Sequence, residues 1–126
     1  NDVKYIQHLA GASGLGVFSA AREAKGYAFG VDDNQNTIDP TVVISTAVRE
    51  MNKIIFDEIK DIKEEKWEDG IHYSGLKEGI IDITLEGSEV LISDDIIKEV
   101  YKIKDLIIKG DLILPKSYKE LDLWIN

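Results

Sequence analysis

Apolar and polar positions fall into blocks whose period changes along the chain, and each change marks an element. Residues 3–10 form a mostly apolar run that stops at Gly11 and reads as a buried parallel strand. Residues 14–25 place Leu15, Phe18 and Ala21 on one helical face, with Ala24 at its margin. Arg22 and Lys25 lie in the last turn, where cations suit the helix dipole, and Gly26 takes the position just past the helix end. Residues 27–31 make a short strand ending at Asp32, and the polar stretch 33–40 makes a loop. Residues 42–45 are a third strand. Val48, Met51, Ile55, Ile59 and Ile62 then recur at helical spacing, which predicts a helix to about Trp67, before Gly70. Glu58, Lys60, Asp61, Lys63 and Glu64 form its solvated side.

Residues 71–74 and 80–85 are strand candidates on either side of Gly75-Leu76-Lys77-Glu78-Gly79. Ser93-Asp94-Asp95 opens a helix with a capping hydroxyl and two acids in the first turn. Ile96, Ile97, Val100, Ile103 and Ile107 carry that helix to Gly110. Residues 112–114 read as a last strand broken at Pro115, and the tail brings Leu121, Leu123 and Trp124 to pack. The alternation of periods gives an α/β layered fold with a mostly parallel sheet, one α/β unit over residues 1–126. The chain opens directly in a strand-turn-helix unit, so part of a doubly wound domain is expected.

Composition narrows the classes. The chain has 126 residues, 44% hydrophobic and 31% charged, enough for a sizeable core. A formal net charge of -9 repels phosphate backbones and anionic lipid surfaces, so no nucleic-acid partner is expected. No apolar run approaches the roughly 20 residues of a membrane-spanning helix. There is no cysteine, which excludes disulfides, zinc–thiolate sites and thiol nucleophiles but leaves the compartment open.

Three positions could carry ligand chemistry. The turn Gly11-Ala12-Ser13-Gly14-Leu15-Gly16 joins a strand to a helix, where glycines admit a close ligand and the helix start offers free N–H groups. Its spacing is neither the dinucleotide fingerprint nor a P-loop, so a ligand role for Gly11 competes evenly with a merely tight connection. Asp32 ends a parallel strand, where ligands of open α/β sheets bind and a carboxylate can accept from adjacent hydroxyls, or it simply caps the loop that follows. Arg49 follows the third strand near the start of its helix, at the same sheet edge, or is simply an exposed helix arginine. Asp32, Asn34 and Asn36 imitate the start of a calcium loop, but Thr37 and Val43 stand where Gly and Glu are required, and no metal is expected. Lys77 and Glu78 read as a ligand loop or as a turn or crossover between lobes, and His8 and His72, without metal-ligand spacing, read as structural histidines. With no nucleophile elbow and no triad pattern, no enzyme activity and no cofactor are expected.

Four stretches taken in order resemble the basic membrane protein family of bacterial substrate-binding lipoproteins. They are His8-Leu9-Ala10-Gly11-Ala12-Ser13-Gly14-Leu15-Gly16-Val17, Gly30-Val31-Asp32-Asp33-Asn34-Gln35, Val43-Ile44-Ser45-Thr46-Ala47-Val48-Arg49 and Tyr73-Ser74-Gly75-Leu76-Lys77-Glu78-Gly79. The helix with Gly110 and Leu114-Pro115 also looks like that family's ending, so the resemblance covers nearly the whole chain. It implies a type I periplasmic-binding fold, two α/β lobes closing on a ligand, of which this chain is the carboxy-terminal portion. It also implies binding of a purine nucleoside or related solute for an ABC permease, from a lipid-anchored position in the cell envelope. Asp32 would hold ribose hydroxyls and Gly11 would line the pocket. The family usually has Lys where this chain has Arg49, a planar fork in place of a point charge. It usually has a small-residue run where this chain has Ile80-Ile81-Asp82-Ile83-Thr84. The aromatic base clamp and the lipidated cysteine would belong to an amino-terminal half. Half a pocket implies weak affinity, and exposed lobe surface gives a homodimer somewhere to form. A ligand-sensing domain of a regulator is the second reading, and an enzyme acting on nucleosides the third.

Overall fold

The computed structural model describes residues 3–125. It comprises two compact units, Asn1–Leu91 and Ile92–Asn126.

The first unit is built on a four-stranded sheet in the order β1-β2-β3-β4. Strand β1 (Tyr5–Gln7) is shorter than the apolar run suggested. A 3-10 turn over Gly11–Gly14 leads into α1 (Leu15–Glu23), and β2 (Tyr27–Asp32) returns parallel to β1. Strand β3 (Val43–Arg49) is parallel to β2, with an irregular register between Ala28 and Phe29. β4 (Ile81–Thr84) closes the sheet antiparallel to β3, pairing Arg49 with Ile81 and Thr46 with Thr84. This is the α/β layering that the changing period predicts.

The core is small and sits between α1 and the sheet: Phe18, Ala21, Ala28, Val42 and Val43. Phe18 and Ala21 are thus the buried face of α1, whereas Leu15 is about half exposed and faces away from the core. The helix ends on Lys25 in the left-handed region at φ 55°, one residue before the expected Gly26. Gly26 is required for a different reason: a Cβ there would meet the Lys4 carbonyl oxygen at 2.9 Å. Arg22 does more than face a helix end, since its Nε donates to the buried Asp39 carboxylate at 2.9 Å.

Helix α2 (Met51–Lys63) stops short of Trp67 because Glu65 turns left-handed at φ 57° and Lys66 N–H closes back on the Asp61 carbonyl. Its apolar stripe of Met51, Ile55, Ile59 and Ile62 has the expected spacing but stays exposed. Residues 71–74 are not a strand. The Gly75–Gly79 segment is a self-closed turn, in which Gly75 N–H donates to Glu78 Oε2 at 2.8 Å and Ile80 N–H to the Gly75 carbonyl.

The second unit holds α3 (Asp94–Lys109) and α4 (Tyr118–Ile125). Ser93 stands at the N-cap of α3, yet its hydroxyl makes no capping bond; Asp94 and Asp95 supply the favourable first-turn charge. Gly110 ends α3 at φ 79°, with Gly110 N–H on Ile107 and Asp111 N–H on Leu106. Residues 112–114 do not form a strand. Ser117 Oγ caps α4 by accepting from Glu120 N–H at 3.2 Å.

Candidate functional site

Parallel pairing of β1, β2 and β3 puts their carboxyl ends on one edge of the sheet, and the three candidate residues all lie at that edge. Asp32 is the last residue of β2 and adopts φ 69°. Asp tolerates this left-handed conformation better than most residues, and it turns the chain out of the ladder at once. Arg49 is the final residue of β3, a correction to its expected place beyond the strand. β2–β3 pairing sets Asp32 opposite Val48, so Arg49 Nη2 reaches Asp32 Oδ1 and forms an ion pair. Both side chains are about half exposed, so the pair contributes at most about 1 kcal/mol to stability. Its consequence is orientation: a carboxylate and a guanidinium fork share one cleft of about 580 Å³, which Asp33, Asn34, Val48, Glu50, Met51 and Asn52 also line.

Gly11 opens the 3-10 turn at φ 52°, the left-handed region that suits glycine, and nothing lies within 4 Å of where a Cβ would stand. It is not among the residues lining the Asp32–Arg49 cleft. The structure therefore brings Asp32 and Arg49 together and leaves Gly11 at the same edge without joining it to them.

Behind Asp32 lies a polar network that the sequence did not reveal. Asn36 is fully buried; its Nδ2 donates to the Thr84 and Glu86 carbonyls at 3.0 and 2.9 Å, and its Oδ1 accepts from Thr46 Oγ1 at 2.8 Å. Gln35 N–H donates to Thr46 Oγ1 at 3.1 Å, and Gln35 Oε1 accepts from Val31 N–H at 3.0 Å. Asn34 Oδ1 accepts from Asn36 N–H, while Asn34 Nδ2 donates to the Glu86 carbonyl. Two of the residues that imitated a calcium loop, Asn34 and Asn36, thus spend their side chains fastening the loop after β2 to the end of β4 and the residues just beyond it. The available signal was the run of amides directly after a strand, with the Asn-x-Asn spacing of a side-chain turn.

His72 and Glu58 form a second polar cluster. His72 Nδ1 lies 2.9 Å from Glu58 Oε1, and Trp67 Nε1 donates to Glu58 Oε2 at 2.8 Å. The hydrogen bond that His72 donates to Glu58, then the Glu58 charge, raises the His72 pKa above its ordinary value; the same contact, followed by the Trp67 hydrogen bond, lowers that of Glu58. Among the described residues, no group of His, Cys, Asp and Glu is arranged to hold a metal ion. Nor is any helix among them long and apolar enough to cross a membrane.

The comparisons with known proteins agree with this frame. Residues 1–118 match the sequence profile of the family described as ABC transporter substrate-binding protein PnrA-like. The chain belongs to that family. Basic membrane protein C of Borreliella burgdorferi is 32% identical over 97% of this chain and 35% of its own length. Basic membrane protein A of the same species is 27% identical over 100% of the chain and 38% of its own length. The chain therefore spans little more than a third of the curated relatives it matches. A solute-binding protein of an ABC transporter system from Aeropyrum pernix superposes with a TM-score of 0.73 at 24% identity, covering 98% of this chain and 44% of that one. A transcriptional activator of the comK gene from Bacillus halodurans superposes with a TM-score of 0.79 at 17% identity, covering 90% of this chain and 39% of that one. Both share the fold, the mostly parallel α/β sheet flanked by helices.

Proposed function

We propose that the chain supplies one part of the ligand pocket of an ABC importer's solute-binding protein, and that the solute is a nucleoside or a close relative. The observation that carries the reading is Asp32, a half-exposed carboxylate at the carboxyl edge of a parallel sheet, facing an open cleft beside Arg49. A carboxylate placed there accepts two hydrogen bonds from vicinal hydroxyls, and Arg49 orients it while donating to a ligand oxygen. Gly11 is the third proposed contact, from the turn at the same edge, where the backbone lies open to a ligand. We read the protein as a binder without turnover, partnered with a permease and held at the outer face of the membrane or in the periplasm, as its family membership supports. The shared fold of the transcriptional activator keeps a sensor as the second reading, behind the importer because at 17% identity it speaks for fold alone.

The test is thermal melting of the full-length protein with guanosine, inosine or adenosine. A rise in melting temperature is expected, and Asp32→Ala should remove most of it, since two charge-assisted hydrogen bonds amount to roughly 3 kcal/mol, about a hundredfold in affinity. Indifference to every nucleoside would end the substrate assignment. Release of free base over hours of incubation would instead make the protein an enzyme.

A further inference from the structure

We propose that Gln35 is a positioning residue that couples the Gly11 turn to Asp32; its role for binding rests on the function proposed above. β1 ends at Gln7 opposite Phe29, while β2 runs on to Asp32. The N–H of Val31, the residue before Asp32, has run past the end of β1, and Gln35 Oε1 supplies its acceptor at 3.0 Å. The same oxygen meets His8 Nε2 at 3.2 Å. Because an amide oxygen only accepts, His8 carries its proton on Nε2, which leaves Nδ1 as the acceptor facing Ala10 N–H at 3.5 Å.

His8 in turn is built into the Gly-rich turn. It is buried, stacks edge-on against Phe18 with ring centroids 5.2 Å apart, and lies where a Gly14 Cβ would stand only 2.0 Å from its ring. Gly14 is therefore the glycine that seats His8, and Gly11 the one that leaves backbone open. On the other side, a Cβ on Gly30 would meet Thr46 Oγ1 at 2.4 Å and the Gln35 Cβ at 2.9 Å. Gln35 is thus wedged between two ligand-facing segments, one amide oxygen serving both. A displacement of either segment must break a bond to that oxygen, so the two move together.

The experiment compares Gln35→Met, which keeps the length and deletes the acceptor, with Gln35→Glu, which keeps an acceptor oxygen, both in the full-length protein. Imidazole nitrogen NMR should show His8 as the Nε2–H tautomer in the wild type and in Gln35→Glu, and a mixture of tautomers in Gln35→Met. Amide resonances of residues 10–14 should shift in Gln35→Met, and nucleoside affinity should fall about tenfold, with Gln35→Glu close to wild type. An Nδ1–H tautomer in the wild type, or shifts that stop at Val31, would overturn the coupling. Unchanged affinity despite those shifts would overturn the positioning role. His8→Phe, which keeps the ring on Gly14, reads the same link from the other end: Val31 and Asp32 should shift, and their silence counts against it. A wild-type protein that binds no nucleoside defeats the functional reading alone, because the tautomer and shift measurements still decide the coupling.

Discussion

Asn36 shows what a single amide does in this protein. It is fully buried and spends its amide hydrogens on the carbonyls of Thr84, the last residue of β4, and of Glu86 just beyond, while its oxygen takes the Thr46 hydroxyl. Asn36→Ala removes the side-chain partner of the Thr84 carbonyl and of the Thr46 hydroxyl, while the exposed Glu86 carbonyl keeps Asn34 Nδ2. A loss of roughly 3 kcal/mol is expected, read as a lower urea midpoint. An unchanged midpoint would mean that water satisfies these groups and the network holds nothing. The place of Asp32 at a strand end was legible in the sequence, because the short apolar run stops there. Gln35 and Asn36 were not, because polar residues in a loop look alike until their partners are known. Those partners lie as far as 50 residues away.

Among elements, the connection from α2 to β4 departs most from its sequence pattern. Residues 71–74 alternate like a strand yet pair with nothing; the His72–Glu58 contact and the Trp67 indole tie the segment back to α2 instead. This clip depends on pH, and the sign follows from the two directions. His72 is raised, so its contribution is complete below its ordinary pKa of 6.5 and fades as pH climbs through the raised value. Glu58 is lowered, so its contribution is present above its ordinary 4.5 and fades as pH falls through the lowered value. The segment is therefore held best between the two ordinary values, 4.5 and 6.5, and less firmly as pH leaves that window on either side. In an NMR titration, Glu58→Gln should bring the His72 pKa down toward 6.5. A His72 value that does not respond would assign the shift to another neighbour. α1 and α3 followed their patterns more closely, because an apolar face at helical spacing and a left-handed terminus are local properties.

For the molecule as a whole, charge bears on ligand choice. The chain carries a formal net charge of -9, and the cleft beside Arg49 adds Asp32, Asp33 and Glu50 around a single arginine. A neutral nucleoside meets no penalty there, whereas a phosphorylated one brings like charge into a site with one cation. Adding a 5′-phosphate should therefore weaken binding to the full-length protein by about tenfold or more, measured as a smaller melting shift at equal concentration. A nucleotide that binds as tightly as its nucleoside would require a cation elsewhere in the pocket.

Local information decided a good deal: the existence of β1 to β4 and α1 to α3, the buried helix positions Phe18 and Ala21, the end of α3 at Gly110, and Asp32 at a strand end. Each follows from neighbours a few residues apart, through side-chain period, steric limits on φ and capping, which a linear pattern records. Family membership was legible in the same way, from four short motifs in order. Tertiary structure alone decided that Arg49 ends its strand and meets Asp32, that β4 runs antiparallel, and that the helix stripe of Ile55 and Ile59 stays open. It alone joined His8, Gln35, Thr46 and Asn36 into one network. Hydrogen bonds and register between segments far apart in the chain are set by which strand lies beside which, and no local period encodes that choice.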